Sequence, residues 1–351
     1  MLIYRFVNRR EFIFGTMATT FLAEKLSAAT GGAVRLLQSK VDSSELTGAV
    51  LRVRDGKDLA EHSFGIAKPE SVFYVASLTK PMTSTAVMIL VDRGKLSLDD
   101  PVQKFIPEFR GGEKNRVLLR HLLTHTSGLP DMLPENEALR QRHAPLLDFV
   151  AGTCQTPLLF SPGSQVSYQS MGILLAGETV ERVSGRPLRD FLRDEVFRPL
   201  RMTETSVGLG GRKLAETMQL QHDPGADWGQ NSLYWRSLGA PWGGVHATAG
   251  NIGLFADYFL HPEPKILKPA TALAMITNQN RGLNRPWGLG WAMGSGFGKH
   301  SSDRVAGHSG SSGTLMWIDP AKDRSLVLLT TLPANLSQRT VLGPVADLVS
   351  E

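Results

Sequence analysis

Two short runs early in the chain, Gly48–Arg54 and Leu59–Ile66, are rich in apolar and β-branched residues and flank the turn dipeptide Asp55-Gly56. They predict a pair of strands joined by a hairpin. The period then changes. From Ser77 onward, Leu78, Met82, Thr85, Ala86 and Ile89 recur at helical spacing, and Gly94 supplies a left-handed stop. Pro81 falls in the first turn of that helix, where the loss of one backbone donor is tolerable. From Leu96 to about Trp287 the pattern is mostly helices and long loops. Met171–Val183 predicts a helix closed by Gly185, and Pro187 opens another through Val196. Residues 208–244, rich in Gly, Asp, Gln and Trp, predict a long loop region. Strand patterns return at Gly288–Met293, Thr314–Ile318 and Ser325–Thr331, and Val341, Val345 and Leu348 mark a final helix.

Strands at both ends with helices between them predict an α+β fold. Its antiparallel sheet is built from both termini and flanked by helices, and a mainly helical domain is inserted after the Ser77 helix. The boundaries this implies are 30–95 together with 286–351 for the sheet domain and 96–285 for the helical one, with the active site between them. The 351 residues, 42% hydrophobic and 20% charged, are enough for a substantial core and about two domains. The net charge of +5 is thinly spread. Its densest basic stretch, Arg182 to Arg201, is interleaved with Glu181, Asp190, Asp194 and Glu195. That is a solvated helical face, and no nucleic-acid partner is indicated. Cys154 is the only cysteine, which excludes an internal disulfide and a cysteine-based zinc or redox site.

The N-terminus adds a location. Arg9-Arg10 precedes an apolar run from Phe12 to Ala23, then Lys25 and the small residues Ser27-Ala28-Ala29. This order reads as a signal peptide over residues 1–29, with the paired arginines of the twin-arginine type. It predicts a bacterial protein that is periplasmic or secreted. No stretch reaches the ~20 apolar residues a stable membrane span needs.

The chemistry starts at Ser77-Leu78-Thr79-Lys80. Three residues apart on a first helical turn, the hydroxyl and the amine share one face. A serine is a weak nucleophile until a base removes its proton, and a lysine serves as that base if burial lowers its pKa. The helix N-terminus also favours a developing oxyanion. This is the only such pair in the chain, set between the apolar Val72-Phe73-Tyr74-Val75-Ala76 and an apolar helix.

Further blocks share an order with it: Gly94-Lys95-Leu96-Ser97-Leu98-Asp99-Asp100-Pro101, Leu122-Leu123-Thr124-His125-Thr126-Ser127-Gly128-Leu129, and Pro162-Gly163 followed by Tyr168. Pro199-Leu200-Arg201-Met202-Thr203, Gly288-Leu289-Gly290-Trp291 and Gly307-His308-Ser309-Gly310 complete the set. Together these resemble the serine β-lactamase and penicillin-recognising group, in the branch that holds class C β-lactamases, D-stereospecific peptidases and β-lactamase-like carboxylesterases. The resemblance runs from about Leu46 to Leu329 and implies a β-lactamase/transpeptidase-like fold.

It also implies roles. Ser77, Lys80 and Tyr168 would be catalytic, with Tyr168 sharing protons between nucleophile and leaving group. Where the family motif is Tyr-x-Asn, this chain has Tyr168-Gln169-Ser170. Ser170 lacks the amide that orients a substrate carbonyl, which puts β-lactam and peptide recognition in doubt. His308, Ser309 and Gly310 stand where many members carry Lys-Thr-Gly, and would bind substrate along a strand edge. The backbone N–H groups of Ser77 and Ser311 would form the oxyanion hole. His121 and His125 have the spacing of a metal-binding pair, but Leu122 stands where the glutamate is needed, so no metal is expected. His125 is expected to support the loop beside the site.

A nucleophile elbow at Gly307-His308-Ser309-Gly310-Ser311 is excluded by chain order, because no histidine follows His308. The expectation is therefore a serine hydrolase working through an acyl-enzyme on ester, amide or peptide substrates, a carboxylesterase before a D,D-peptidase, D-aminopeptidase or class C-type β-lactamase. A non-catalytic penicillin- or peptide-binding sensor is the alternative of another class. No cofactor is implied, and no obligate protein partner is evident.

Overall fold

The computed structural model of the chain describes residues 30–351. The export signal read at 1–29 lies outside the described residues. Nine strands follow in chain order: β1 (Gly48–Asp55), β2 (Asp58–Gly65), β3 (Phe73–Tyr74), β4 (Ser206–Val207), β5 (Val245–Ala247), β6 (Ala292–Met293), β7 (Ala306–Gly310), β8 (Thr314–Asp319) and β9 (Arg324–Thr330). Six form one antiparallel sheet in the order β2-β1-β9-β8-β7-β6. The chain's two ends therefore meet at β1 and β9, as the strand pattern predicts. The other three make a small sheet, β3-β5-β4.

Alternation sorts the large sheet's two faces. Ala49, Leu51, Val53, Leu315, Trp317, Leu326 and Leu328 pack with Ala33 and Leu37 of a helix over residues 30–42 and with Val341, Val345 and Val349 near the C-terminus. Val50, Met316, Ile318, Val327 and Leu329 belong to the opposite core. There the helix Ala249–Leu260 lies against β1, β8 and β9. The helix Thr79–Asp92 packs in turn against the helix Ser170–Ser184. Gly185 caps the latter at φ +68°, as its position predicts. Among the described residues no helix is long and apolar enough to cross a membrane.

Three expectations are corrected in detail. A 3₁₀ turn, Ala76–Leu78, carries Ser77, and the α-helix proper starts at Thr79. The helix after Pro187 keeps α geometry only over Leu188–Leu192 and continues as a π turn, Arg193–Phe197. The Gly288–Met293 run is a strand only at its last two residues. Its backbone bonds elsewhere: Leu289 N–H donates to Met275 O (2.9 Å) and Gly290 N–H to Leu123 O (2.8 Å). Gly288 is required by that approach, since a Cβ there would meet Met275 O at 2.1 Å. The helix over residues 30–42 was not legible beforehand.

One buried ionic cluster ties helix to sheet. Asp257 accepts from Arg52 (2.8 Å) and Ser325 (3.1 Å) and pairs in charge with Arg54 (3.0 Å), joining the helix Ala249–Leu260 to β1 and β9. Arg52 is 4% exposed. Gly253 leaves it room, because a Cβ there would sit 2.3 Å from the guanidinium. Removing one partner of such a pair strands a buried charge, at a cost of about 3–5 kcal/mol. Asp257→Ala should therefore lower the unfolding free energy measured by urea titration by that order; an unchanged free energy would show that the cluster is not a stabilising link.

Candidate active site

The turn that presents Ser77 is built by its neighbours. β3 ends at Tyr74, Val75 N–H bonds to Val245 O (3.0 Å), and Ala76 turns the chain at φ +46°. A non-glycine residue there costs about 1–2 kcal/mol and needs surroundings that hold it. Thr314 Oγ1 on β8 donates to Val75 O (2.9 Å), and Thr79 Oγ1 donates to Ala76 O (2.7 Å) while accepting from Val245 N (3.0 Å). Gly310 at the end of β7 closes against the turn. A Cβ at Gly310 would meet Val75 O at 2.5 Å and Ala76 Cβ at 3.2 Å, so glycine lets the strand approach.

Lys80 reaches Ser77 Oγ at 3.0 Å and the Trp242 carbonyl at 2.9 Å. Its side chain is fully buried, and burial lowers its pKa to about 7, against an opposing pull from Asp131. The Tyr168 hydroxyl donates to Ser77 Oγ from the other side (2.9 Å), and Lys80 Nζ lies 4.8 Å from the Tyr168 ring centre. Burial raises the Tyr168 pKa far above its ordinary value, with Ser77 pulling the other way, so the phenol keeps its proton at neutral pH. The three residues read as catalytic from the sequence are thus brought together.

His125 and Gln169 aim Tyr168. Gln169 N–H donates to His125 Nδ1 (3.2 Å), and the His125 ring lies 4.8 Å from Tyr168 and 4.6 Å from Trp287 between centroids. His121 Nδ1 accepts from Leu118 N–H at 3.2 Å. Each of the two imidazoles thus accepts a backbone N–H, and among the described residues no group of three or more His, Cys, Asp and Glu is placed to hold a metal.

Ser77, Tyr168, Ser170, His308, Ser309, Gly310 and Ser311 line one cavity of about 640 Å³. A larger groove, about 900 Å³ beside His143 and Tyr234, contains none of them. His308 is buried, and its Nδ1 lies 2.8 Å from Ser309 O. Burial, reinforced by Lys80, pushes its pKa down to about 3, so it is neutral at physiological pH. Ser309 is exposed. Ser170 is almost wholly buried, and its hydroxyl donates to Asp131 Oδ1 at 2.6 Å.

Asp131, Arg285 and Trp287 also line the cavity, and sequence reasoning did not single them out. Asp131 lies two residues past the Leu122–Leu129 block, yet its partner Ser170 is 39 positions on, so nothing local announces the pair. The Trp242 carbonyl, which holds Lys80 from 162 residues away, leaves no sequence signal at all.

The chain is also similar to known proteins. The chain is 33% identical to penicillin-binding protein 4* of Bacillus subtilis (strain 168) over 184 residues, 49% of this chain and 40% of that protein. It is 34% identical to esterase EstB of Burkholderia gladioli over 207 residues, 52% of this chain and 51% of EstB. The chain thus spans about half the length of EstB and less of penicillin-binding protein 4*. A longer match, 27% identical, is to the D-alanyl-D-alanine-carboxypeptidase/endopeptidase AmpH of Escherichia coli (strain K12), covering 88% of this chain and 85% of AmpH. The fold is shared with EstCE1, a hydrolase with promiscuous acyltransferase activity, at TM-score 0.80 and 21% identity over 93% of this chain and all of that one. The β-lactamase family description matches residues 33–350, and on that span, with the motifs in their order, the chain belongs to the β-lactamase family.

Proposed function

We propose that this protein is a serine hydrolase that works through an acyl-enzyme, and that simple esters are its preferred substrates. The observation that carries the reading is Ser77 Oγ lying between the buried Lys80 amine and the Tyr168 hydroxyl, 3.0 and 2.9 Å away. In its neutral form Lys80 takes the Ser77 proton, and Oγ attacks the ester carbonyl. The tetrahedral oxyanion is received by the N–H groups of Ser77 and Ser311. The bond to the leaving oxygen breaks, Tyr168 gives that oxygen its proton, and Lys80 returns one to Tyr168. Water then attacks the acyl-enzyme, its proton passes to Ser77 Oγ, and the acid is released. The cavity draws Ser77 and the His308–Ser311 segment from the chain's two ends and Asp131, Tyr168 and Ser170 from the part between them. That supports an active site between a sheet domain (30–95, 286–351) and a helical domain (96–285).

The ester preference rests on two features. The Ser170 hydroxyl is engaged by Asp131, and His308 is neutral, so neither a side-chain amide nor a fixed charge from position 308 holds a β-lactam. EstB is named as an esterase, which favours the same direction. AmpH supports a second reading, a D-alanyl carboxypeptidase. Residues 1–29 support export to the periplasm or medium.

Variants, pH dependence, substrate choice and processed mass test this. Ser77→Ala should abolish ester hydrolysis with thermal unfolding unchanged, and Lys80→Ala should lose at least ~10²-fold. With Lys80 near 7, wild-type kcat/KM should fall about tenfold per pH unit below pH 7 and level off above it. Hydrolysis surviving in Ser77→Ala would remove the nucleophile assignment, and a flat profile from pH 5 to 8 the base. A short acyl ester should exceed a chromogenic cephalosporin by at least ~tenfold in kcat/KM, the scale of one lost polar contact; the reverse order would favour a β-lactamase. Protein recovered from the native periplasm or medium should have an intact mass set by cleavage near Ala29, whereas the full chain in the cytoplasm would refute export.

A further inference from the structure

We infer that Asp131, fixed by Ser170 at the wall of the Ser77 cavity, receives an ammonium group of the substrate, so that amine-bearing esters are preferred over neutral ones of the same shape. This rests on the hydrolase reading above and narrows its substrate class.

Asp131 is held at two points by the first residue of the helix Ser170–Ser184. Ser170 Oγ donates to its Oδ1 (2.6 Å) and Ser170 N–H to its carbonyl (3.2 Å). Asp131 itself is exposed to the cavity. Among the described residues it makes no ion pair, so its charge is left for a ligand.

The other charges around the cavity leave it the one acid there among the described residues. Arg140 is committed: it donates to Trp228 O (2.9 Å) and lies 3.9 Å from the Trp235 ring centre. Arg285 stacks over Trp287 at 5.1 Å. Lys80 is buried behind Ser77. The rings of Tyr168, Trp235 and Trp287 line the same space, and Lys80, Arg140 and Arg285 respectively already lie over one face of each, so the carboxylate of Asp131 is the group left to receive a substrate cation. Asp131 acts electrostatically on both Lys80 and Tyr168, so it is close enough to influence the reacting groups for any substrate. Its specific role is therefore visible in a ratio of substrates and not in a single rate.

The test measures kcat/KM of the purified full chain on two isosteric ester pairs. One pair places the amine in the acyl part, the 4-nitrobenzyl esters of β-alanine and of butyrate. The other places it in the alcohol, 2-aminoethyl and propyl butyrate. In at least one pair the amine should be favoured about tenfold or more, and Asp131→Asn should reduce that preference by a similar factor, the scale of a hydrogen bond to a charged group. Wild-type enzyme needs no variant for a second check: raising salt from 0.05 to about 0.5 M should shrink the preference while leaving the neutral ester's rate much less affected. Ratios near one in both pairs, or a preference that survives both Asp131→Asn and salt, would overturn the inference while Ser77-dependent hydrolysis of butyrate esters still upheld the hydrolase reading. Absence of any Ser77-dependent ester hydrolysis would overturn both.

Discussion

The structure turns on burying an amine. Lys80 is closed off from water, and its partners are a hydroxyl and a carbonyl, with no carboxylate bonded to it. A permanently charged ammonium would be expensive there. The site tolerates it because the proton is easily given up, and that same property makes the amine a base. The first requirement on the fold is then to keep this pocket dry while leaving Ser77 Oγ at its mouth.

Several distant segments meet that requirement together. The left-handed Ala76 turn is clamped by β5, β8 and the end of β7, and Gly310 allows the close approach. Trp242 closes the far side of Lys80, and His125, through Gln169, orients Tyr168. Behind them, the Arg52–Asp257 cluster anchors the helix Ala249–Leu260 to β1, and Trp291 packs on Phe255 and Phe259 of that helix. Strain at one residue is thus held by contacts from many.

Around the reacting groups, charge is arranged by position. The buried histidines beside Lys80, His125 and His308, are driven neutral by burial and by Lys80. They contribute shape and ring contacts beside Tyr168 without adding cations. The cavity's electrostatic character comes from its wall, where Asp131 stands opposite in sign to Arg140 and Arg285.

Local pattern was sufficient for elements that their own residues dictate. The β1–β2 hairpin follows from alternation around Asp55-Gly56, and the helix ending at Gly185 from its period and its left-handed stop. Ser77 and Lys80 could be paired because three residues on one turn is a local distance. The order of the motif blocks, and the resemblance resting on it, likewise needed no coordinates, and it brought Tyr168 and the His308–Ser311 segment to the site. The departure of Gly288–Trp291 from the sheet was decided by distant partners, as Leu289 bonding to Met275 and Gly290 to Leu123 show. The Ser170–Asp131 bond and the Trp242 carbonyl belong to the same class. Hydrogen bonds spanning tens to hundreds of residues leave no periodicity in a single chain, so tertiary structure alone revealed that Ser170 holds a carboxylate and that Lys80 is buried to the last atom.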